Sequence, residues 1–363
     1  MGWSVTGIMS HNIAGIPLAG SDICGFIDNT TPELCARWYT LGAFYPFSRN
    51  HNNWGNAPQE PWVFKGIPYE ATTDYFDIIQ HSMRVKLNMI RYFYTELFTL
   101  SLGGGAFYKP MWFEFPNDAG AVNASPELNI MLGEAMKLSI NSNKLGQNST
   151  EFYMPAGLWC DVFNKNGTGG CLTFATGTNV NMSTKAYDFH LHLRAGFLVP
   201  MQDGVSLAQN ANVTSTFDLQ SHPVDFHVLP TCNATNCVAS GKYINDDGVN
   251  LNIDGNVNVY LLEYVQDVTT TTLNLTIVHH INATNMQDMH VNKNDALGML
   301  QIYNAAAQNL NVAYTVQALM LDGTPKNLAD ATYDASSDRL VFTNSGDDLW
   351  LPQVDKLILN KKP

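Results

Sequence analysis

The stretch GIPLAGSDICGF, residues 15–26, gives the first indication of the fold class. Its apolar run Ile16–Gly20 predicts a short buried strand, and the stretch places Asp22 where that strand ends. A helix is predicted directly afterwards, because Thr31 suits an N-cap, Pro32 suits the first helical position and Glu33 lies near the positive end of the helix dipole. Strand followed by helix is the order of an α/β unit.

The same alternation continues outward. A second strand is predicted at Phe44–Phe47, a long helix from about Thr73 to Leu102 that stops at Gly103–Gly105, and a third strand at Lys109–Phe115. Three such units cannot close a sheet on themselves, since a (β/α)₈ barrel takes about 250 residues. The sequence therefore predicts either a small open sheet or a barrel whose front lies elsewhere.

Beyond residue 122 the pattern changes to short alternating segments, as in Glu151–Pro155, His190–Arg194 and Val259–Tyr264. Such segments are typical of β-sandwiches. The dipeptides Asn166–Gly167 and Asp247–Gly248 indicate hairpin turns between them. We predict an α/β part over residues 1–122, a proximal β-sandwich over 123–205 and a distal β-sandwich over 206–363.

Composition excludes several classes of partner. The 363 residues carry a formal net charge of −13 with only 19 Lys and Arg, which argues against nucleic acid as a partner. No apolar run reaches the roughly 18 to 20 residues that cross a bilayer. The first residues also lack the basic start and apolar stretch of a signal peptide.

The cysteines indicate an oxidising compartment. They fall into three locally spaced pairs with none left over, and the competing interpretation is zinc, although no C-x-x-C pair and no histidine at finger spacing is present. Nine N-x-[ST] sequons support a secretory route when they are taken with the even cysteine count. We therefore expect disulfides at Cys24/Cys35, Cys160/Cys171 and Cys232/Cys237, and a lysosomal or secreted protein whose leader is missing from this chain.

An ordered series of motifs carries a family resemblance. GIPLAGSDICGF resembles the G-I-P-L-x-G-[AS]-D-[IV]-C-G-F segment of glycoside hydrolase family 31. The match continues, in the family's order and spacing, through NTTPELC at 29–35, LGAFYPFSRNHN at 41–52 and PQEPW at 58–62. It is dense over residues 10–65 and intermittent to about 250, with MWFEFP at 111–116, YMPAGLW at 153–159, LRAGFLVP at 193–200 and DDG at 246–248. The 11-residue separation of Cys24 and Cys35 resembles the lysosomal acid and digestive (sucrase-isomaltase-like) α-glucosidases.

The resemblance implies a fold and a reaction. The fold would be the C-terminal part of a (β/α)₈ barrel followed by two β-sandwiches, without cofactor or metal. The reaction would be retaining hydrolysis of terminal α-linked glucose from an α-glucoside oligosaccharide or a glycogen- or starch-like substrate. Retention needs two carboxyl groups roughly 5 Å apart. In the family the nucleophile lies in a W-x-D-M-N-E motif and the acid/base Asp shortly before the G-I-P-L strand; neither motif is present, so we expect both upstream of Met1.

Four residues are implied to bind substrate. His51 resembles the family histidine that hydrogen-bonds hydroxyls of the glucosyl unit, and the alternative is an ordinary surface-loop histidine. Arg49 would shape the same loop. Asp22 would either pair with a substrate-binding arginine or bond nearby backbone, and Phe26 would either wall the sugar face or belong to the core.

Three hypotheses follow for the whole chain. The first is a partial α-glucosidase that is inactive alone, the second a non-catalytic carbohydrate-binding or structural remnant, and the third complementation by a separate chain that supplies the front of the barrel. Catalysis by Asp22 with Glu60, Glu114 or Asp118 is disfavoured, because Glu114 alternates with apolar residues and Asp118 follows a proline in a turn. His279–His280 lies in a strand-like run and is interpreted as plain β structure.

Overall fold

The structure is a computed structural model. It describes residues 1–142, 145–163, 170–203, 215–220, 222–246, 248, 257–270, 272–281, 295–344 and 349–362. The predicted turn at Asn166–Gly167 and the Asp247 position lie outside these residues. The chain divides into two compact units, which comprise Met1–Leu87, Glu96–Gly157 and Thr173–His192 in the first and Asn88–Thr95, Leu158–Leu172 and Leu193–Pro363 in the second.

The helices near the start of the chain form where local capping signals are strong. In α2, the Thr31 hydroxyl accepts a hydrogen bond from the Leu34 amide and Pro32 takes the first helical position. In α3, Asp74 and Asp77 form a reciprocal capping box, and the helix ends where Gly104 adopts a φ of 75°. The predicted start of α2 and both predicted ends of α3 are confirmed to within two residues. The helices are α1 (Gly2–Ile13), α2 (Pro32–Gly42), α3 (Tyr75–Gly103) and α4 (Ala119–Asn123).

The strands of this region are shorter than predicted, and two lie elsewhere. β1 (Asp22–Ile23) and β2 (Arg49–Asn50) pair in parallel, so Asp22 begins a strand instead of ending one. The predicted buried strand Ile16–Gly20 is wrong: Ile16 is 54% exposed, its amide closes the end of α1 on the His11 carbonyl, and Pro17 has no N–H for a ladder.

Two further strand predictions are corrected. Phe44–Phe47 is not a strand, because the amides of Phe44 and Tyr45 continue the turns of α2 by bonding to Leu41 and Gly42. The strand predicted at Lys109–Phe115 is confined to β5 (Tyr108–Pro110), after which Met111–Phe113 forms a 3₁₀ turn. In both places a neighbouring helical turn uses the backbone groups that a strand would need.

Short antiparallel strands dominate the rest of the first unit. β5, β6 and β7 form a meander in which Met131 lies opposite both Lys109 and Lys137. The predicted strands at Glu151–Pro155 and His190–Arg194 are confirmed as β8 and β12. The strands up to residue 194 are β3 (Pro68–Glu70), β4 (Thr73–Asp74), β5, β6 (Asn129–Leu132), β7 (Met136–Ser139), β8 (Ser149–Met154), β9 (Gly157–Asp161), β10 (Cys171–Phe174), β11 (Thr178–Ser183) and β12 (His190–Arg194).

The second unit is built on a 12-stranded sheet with the order β21-β20-β24-β18-β17-β16-β13-β14-β19-β23-β22, and β15 pairs with β16. One core cluster contains residues from well-separated strands of this order, such as Leu357 of β24 and Phe342 of β23, so the sheet is curled on itself. The elements are β13 (Phe197–Met201), a short helix α5 (Thr216–Gln220), β14 (Val224–Leu229), β15 (Thr231–Cys232), β16 (Asn236–Asp246), β17 (Val257–Asp267), β18 (Thr272–Ile281), β19 (Leu297–Tyr303), β20 (Tyr314–Met320), β21 (Pro325–Asn327), β22 (Thr332–Asp334), β23 (Arg339–Thr343) and β24 (Val354–Lys361). The strand predictions at Val259–Tyr264 and His279–His280 are confirmed by β17 and β18.

A buried arginine organises one edge of this unit. The Arg91 guanidinium is 5% exposed and donates to five acceptors. They are the side-chain oxygens of Gln202 and Asn245 and the carbonyls of Leu219, Gln220 and His222. Because it joins β16, α5 and the end of β13, this side chain connects three elements that are distant in sequence.

All three cysteine pairs form disulfides, Cys24–Cys35, Cys160–Cys171 and Cys232–Cys237. The disulfide interpretation is confirmed, since no cysteine in the described residues remains as a thiol that could bind zinc. Within the described part of the chain, no helix combines the length and the apolar character that crossing a membrane requires.

Candidate functional site

An open pocket of about 580 Å³ lies in the first unit, between the turn that follows β1 and the loop that follows β2. Phe26 comes from the first of these segments and His51 from the second. The parallel pairing of β1 with β2 places both segments at the same end of the strand pair. The pocket is lined by Phe26, His51, Asn52, Asn53, Trp54, Gly55, Asn56, Pro58 and Glu60.

His51 and Phe26 pack against each other in the wall of this pocket. Their ring centroids lie 5.3 Å apart with an interplanar angle of 38°. Phe26 is 40% exposed and therefore belongs to a surface wall and not to the core. Among the residues that the structure describes, none hydrogen-bonds to the His51 ring nitrogens, so the imidazole can donate to or accept from a ligand.

Gln59 holds the two segments together from beneath. It is 3% exposed, and its Nε2 lies 3.2 Å from the Ile23 carbonyl, 3.3 Å from the Gly25 carbonyl and 3.2 Å from the His51 carbonyl. The same nitrogen donates to Asn50 Oδ1 at 2.9 Å. Gln59 lies in the PQEPW motif, but its role was not predictable because a buried amide that bridges backbone segments has no sequence signature of its own.

Asp22 and Arg49 form a second, separate pair. They are register partners in β1 and β2, and the Arg49 Nη2 and Nε lie 2.5 Å and 3.0 Å from Asp22 Oδ1. The Arg49 side chain is 54% exposed, so the pair contributes at most about 1 kcal/mol to stability. Arg49 lines a neighbouring pocket of about 420 Å³, together with Trp62 and Lys86. The structure thus joins Phe26 with His51 and Asp22 with Arg49.

Burial perturbs two groups beside that second pocket. The Lys86 ammonium donates to the Tyr45 carbonyl, and burial lowers the pKa of Lys86 to about 7. Burial also raises the pKa of the Tyr39 phenol, whose oxygen accepts a hydrogen bond of 2.7 Å from Asn50 Nδ2. At neutral pH about half of the Lys86 side chains in this wall therefore carry their charge, while the Tyr39 phenol stays neutral.

The carboxylates near the site do not form a catalytic pair. Among the described residues that line the pocket, Glu60 is the single carboxylate. Glu114 instead forms an ion pair of 2.7 Å with Lys109, and Asp118 caps α4 and accepts a 2.6 Å hydrogen bond from the Tyr153 hydroxyl. This arrangement presents polar and aromatic side chains with one acid, where retaining hydrolysis needs two close together.

Comparison with known families identifies the chain. Residues 1–96 match the sequence model described as the glycosyl hydrolases family 31 TIM-barrel domain, and residues 104–199 match the family 31 C-terminal domain. Both are domains of glycoside hydrolases. The chain belongs to glycosyl hydrolase family 31 and corresponds to a C-terminal portion of its relatives.

Individual relatives are larger than this chain. Lysosomal acid alpha-glucosidase of Tetrahymena pyriformis is 31% identical over 248 residues, which are 67% of this chain and 26% of the relative. Human intestinal sucrase-isomaltase is 31% identical over 281 residues, 77% of this chain and 14% of the relative. The chain thus spans about a quarter or less of their length.

A solved structure shares the fold. The alpha subunit of glucosidase II in its Glc1Man2-bound form aligns with a TM-score of 0.76 at 20% identity, covering 99% of this chain and 36% of that one.

Proposed function

We propose that this chain is the sugar-binding C-terminal part of a retaining α-glucosidase that releases terminal glucose from α-linked oligosaccharides or glycogen- and starch-like polymers. The observation that carries the proposal is the contact of His51 with Phe26 in the wall of an open pocket, in a chain of a glycosidase family. An imidazole able to donate and accept, beside an exposed aromatic ring, suits a hexose, which has hydroxyls on its rim and C–H groups on its faces.

Each site residue then has a stated role. His51 hydrogen-bonds hydroxyls of the terminal glucosyl unit, and Phe26 packs beside the sugar as an apolar wall. Asp22 orients Arg49 through their ion pair, and Arg49 shapes the rim of the loop that carries His51. Gln59 positions that loop without reaching the pocket, because all four of its Nε2 contacts are internal.

The bond-breaking carboxylates are proposed to come from outside these 363 residues. A retaining enzyme needs a nucleophile and an acid/base group roughly 5 Å apart. The sequence contains no W-x-D-M-N-E motif, and the pocket supplies only Glu60. The chain by itself would therefore bind sugar and leave an α-glucoside intact.

The architecture and the compartment are proposed on related grounds. Residues 1–122 would form the C-terminal part of a (β/α)₈ barrel, followed by β-sandwiches at 123–205 and 206–363. The antiparallel strands after residue 122 and the description of the matched family domains support this division. A lysosomal or secretory location is supported by the three disulfides and by the lysosomal alpha-glucosidase relatives from Rattus norvegicus and Bos taurus.

A binding titration tests the proposal. We expect methyl α-glucoside to bind the chain, and His51→Ala to weaken it roughly tenfold through loss of hydrogen bonds to the sugar. His11→Ala is the matched control, since His11 is exposed on α1. Equal affinities for the wild type and His51→Ala would refute the role of His51. Sustained hydrolysis of 4-nitrophenyl α-glucoside by the purified chain would refute the absence of a catalytic pair.

A further inference from the structure

A pocket of about 280 Å³ lies in the second unit, between the middle of α3, helix α5 and the last residues of β16. Its described lining residues all belong to that unit, and none of them lines the His51 pocket. They are Ile90, Arg91, Tyr94, Gln202, Thr216, Leu219, Gln220, Asn245, Asp246 and Gly248. We call it the Tyr94 pocket. The proposed function assigns no role to it.

One wall of the Tyr94 pocket is a single face of α3 that is bonded to β16. The Arg91 guanidinium donates to Asn245 Oδ1 at 3.1 Å, and Thr95 Oγ1 accepts a hydrogen bond from the Ile244 amide at 3.1 Å. Arg91 and Thr95 are four residues apart in sequence, so they lie on the same side of the helix. Because both side chains bond to neighbouring residues of β16, this wall is held in one position.

Tyr94 presents an aromatic surface from this wall. Its side chain is 38% exposed, and its hydroxyl donates to the Asp246 carboxylate. Asp246 is itself fixed, because its Oδ1 accepts a hydrogen bond from the Gly248 amide at 3.0 Å. The phenol is therefore held both at its backbone and at its oxygen. A ligand that packs against the ring would remove little conformational freedom from it.

Polar side chains supply the rest of the lining. Gln220 Nε2 donates to Asn245 Oδ1 at 3.2 Å, which orients the Gln220 amide. Gly248 has a φ of 68°, and a Cβ at this position would lie 3.0 Å from Gln220 Oε1, so glycine keeps this side of the pocket open. Arg91 and Asp246 are the charged side chains among the described lining residues, and their charges are opposite. A ligand that has hydroxyl groups and no net charge suits this lining.

We propose that the Tyr94 pocket is a separate carbohydrate site, which binds one glucosyl unit of an α-glucan independently of the His51 pocket. The Tyr94 ring packs against the C–H face of the sugar, and the side chains of Gln220 and Thr216 hydrogen-bond its hydroxyls. A volume of about 280 Å³ lies just below the roughly 300–1,000 Å³ of sites for drug-sized ligands, which suits a single sugar ring. The choice of a glucan among neutral polyols rests on the proposed function, whereas the site uses none of the residues of that function.

Equilibrium dialysis against radiolabelled maltose counts the sugar sites on each chain. The wild type is expected to hold two equivalents. His51→Ala should weaken one site alone, and Tyr94→Ala should weaken the other by at least about fivefold, through loss of the stacking surface. Tyr94→Phe keeps the ring without the bond to Asp246, so its affinity should lie between those of the wild type and Tyr94→Ala. Leu102→Ala is the matched control, because Leu102 is 62% exposed on the same helix and does not line the pocket.

The outcomes separate the Tyr94 pocket from the function on which the choice of ligand rests. A single equivalent that disappears in His51→Ala would refute the separate site and leave the proposed function standing, as would two equivalents that both persist in Tyr94→Ala. A single equivalent that His51→Ala keeps and Tyr94→Ala loses would do the reverse. No binding of maltose by the wild type would refute both.

Circular dichroism of each variant checks the fold. If Tyr94→Ala does not fold, Thr216→Arg decides the question, because Thr216 is exposed on α5 and a longer side chain there can fill the pocket without entering the core. Thr216→Arg should then lose the equivalent that His51→Ala keeps, and its retention would overturn the assignment of the Tyr94 pocket.

Discussion

Lys137 provides the sharpest stability prediction, because it is an amine sealed inside the first unit. Its side chain is 0% exposed on β7, and its ammonium group lies 3.1 Å from Asn129 Oδ1 and 2.5 Å from Ser139 Oγ. Both acceptors are neutral. Burial lowers the pKa of Lys137 from 10.5 to about 7, and the same burial, with the Lys137 charge, lowers the pKa of the nearby His192 to about 3.

The sign of the pH dependence follows from this shift. Between pH 10.5 and about 7 the unfolded chain holds a proton on Lys137 that the folded chain releases, so folding loses stability as the pH falls through that window. At about 1.4 kcal/mol per pH unit, lowering the pH from 9 to 7 removes roughly 2 kcal/mol, and below pH 7 the loss levels off. For a unit of this size, that corresponds to a melting temperature lower by about 4–8 °C.

Lys137→Met should remove this dependence. Methionine fills a similar length without a titrating group, so the rise in melting temperature from pH 7 to pH 9 should shrink by about 4–8 °C in scanning calorimetry. Lys65→Met is the control, because Lys65 is exposed. Lys86, whose pKa burial also lowers to about 7, should contribute a separate rise of similar size that Lys86→Met removes. An unchanged pH slope in Lys137→Met would refute the argument from burial.

Two further substitutions test the internal bridges. Gln59→Ala should lower the free energy of unfolding by about 1–3 kcal/mol, because the carbonyls beneath the site lose their hydrogen-bond donor. The same substitution should weaken methyl α-glucoside binding. Calorimetry measures the first effect and titration the second, and unaltered sugar affinity would count against the positioning role. Arg91→Ala should destabilise the second unit by at least about 3 kcal/mol in urea unfolding, since five acceptors lose one guanidinium. The stability of Arg91→Lys should lie between those of the wild type and Arg91→Ala, because an ammonium lacks the planar fork of donors. A loss below about 1 kcal/mol for Arg91→Ala would contradict the role assigned to Arg91.

Structural features that depend on residues close together in the sequence were predictable. The start of α2 at Pro32 and the capping box before α3 depend on hydrogen bonds between residues three apart, which a sequence displays directly. The three disulfides span 5 to 11 residues and were equally local. Strands β8, β12 and β17 were predictable because polar and apolar residues alternate along their sequences.

The site was only partly predictable. Family motifs pointed to His51, Phe26, Asp22 and Arg49, but no sequence pattern stated that the first two would contact each other and the last two would pair. Those partners lie about 25 residues apart in the chain, and the parallel register of β1 with β2 decides which meet. Trp54 carried no motif at all.

The sequence by itself determined the family, the start of α2, the span of α3, the cysteine pairing and the change from alternating α and β elements to short strands after residue 122. Tertiary structure decided that Ile16–Gly20 is an exposed connection, that Gln59 is a buried bridge and that Trp54 remains in water. The physical reason is how far apart in the chain the interacting residues lie. Capping and periodicity are properties of neighbouring residues, whereas burial and strand register depend on which distant segments the fold brings together.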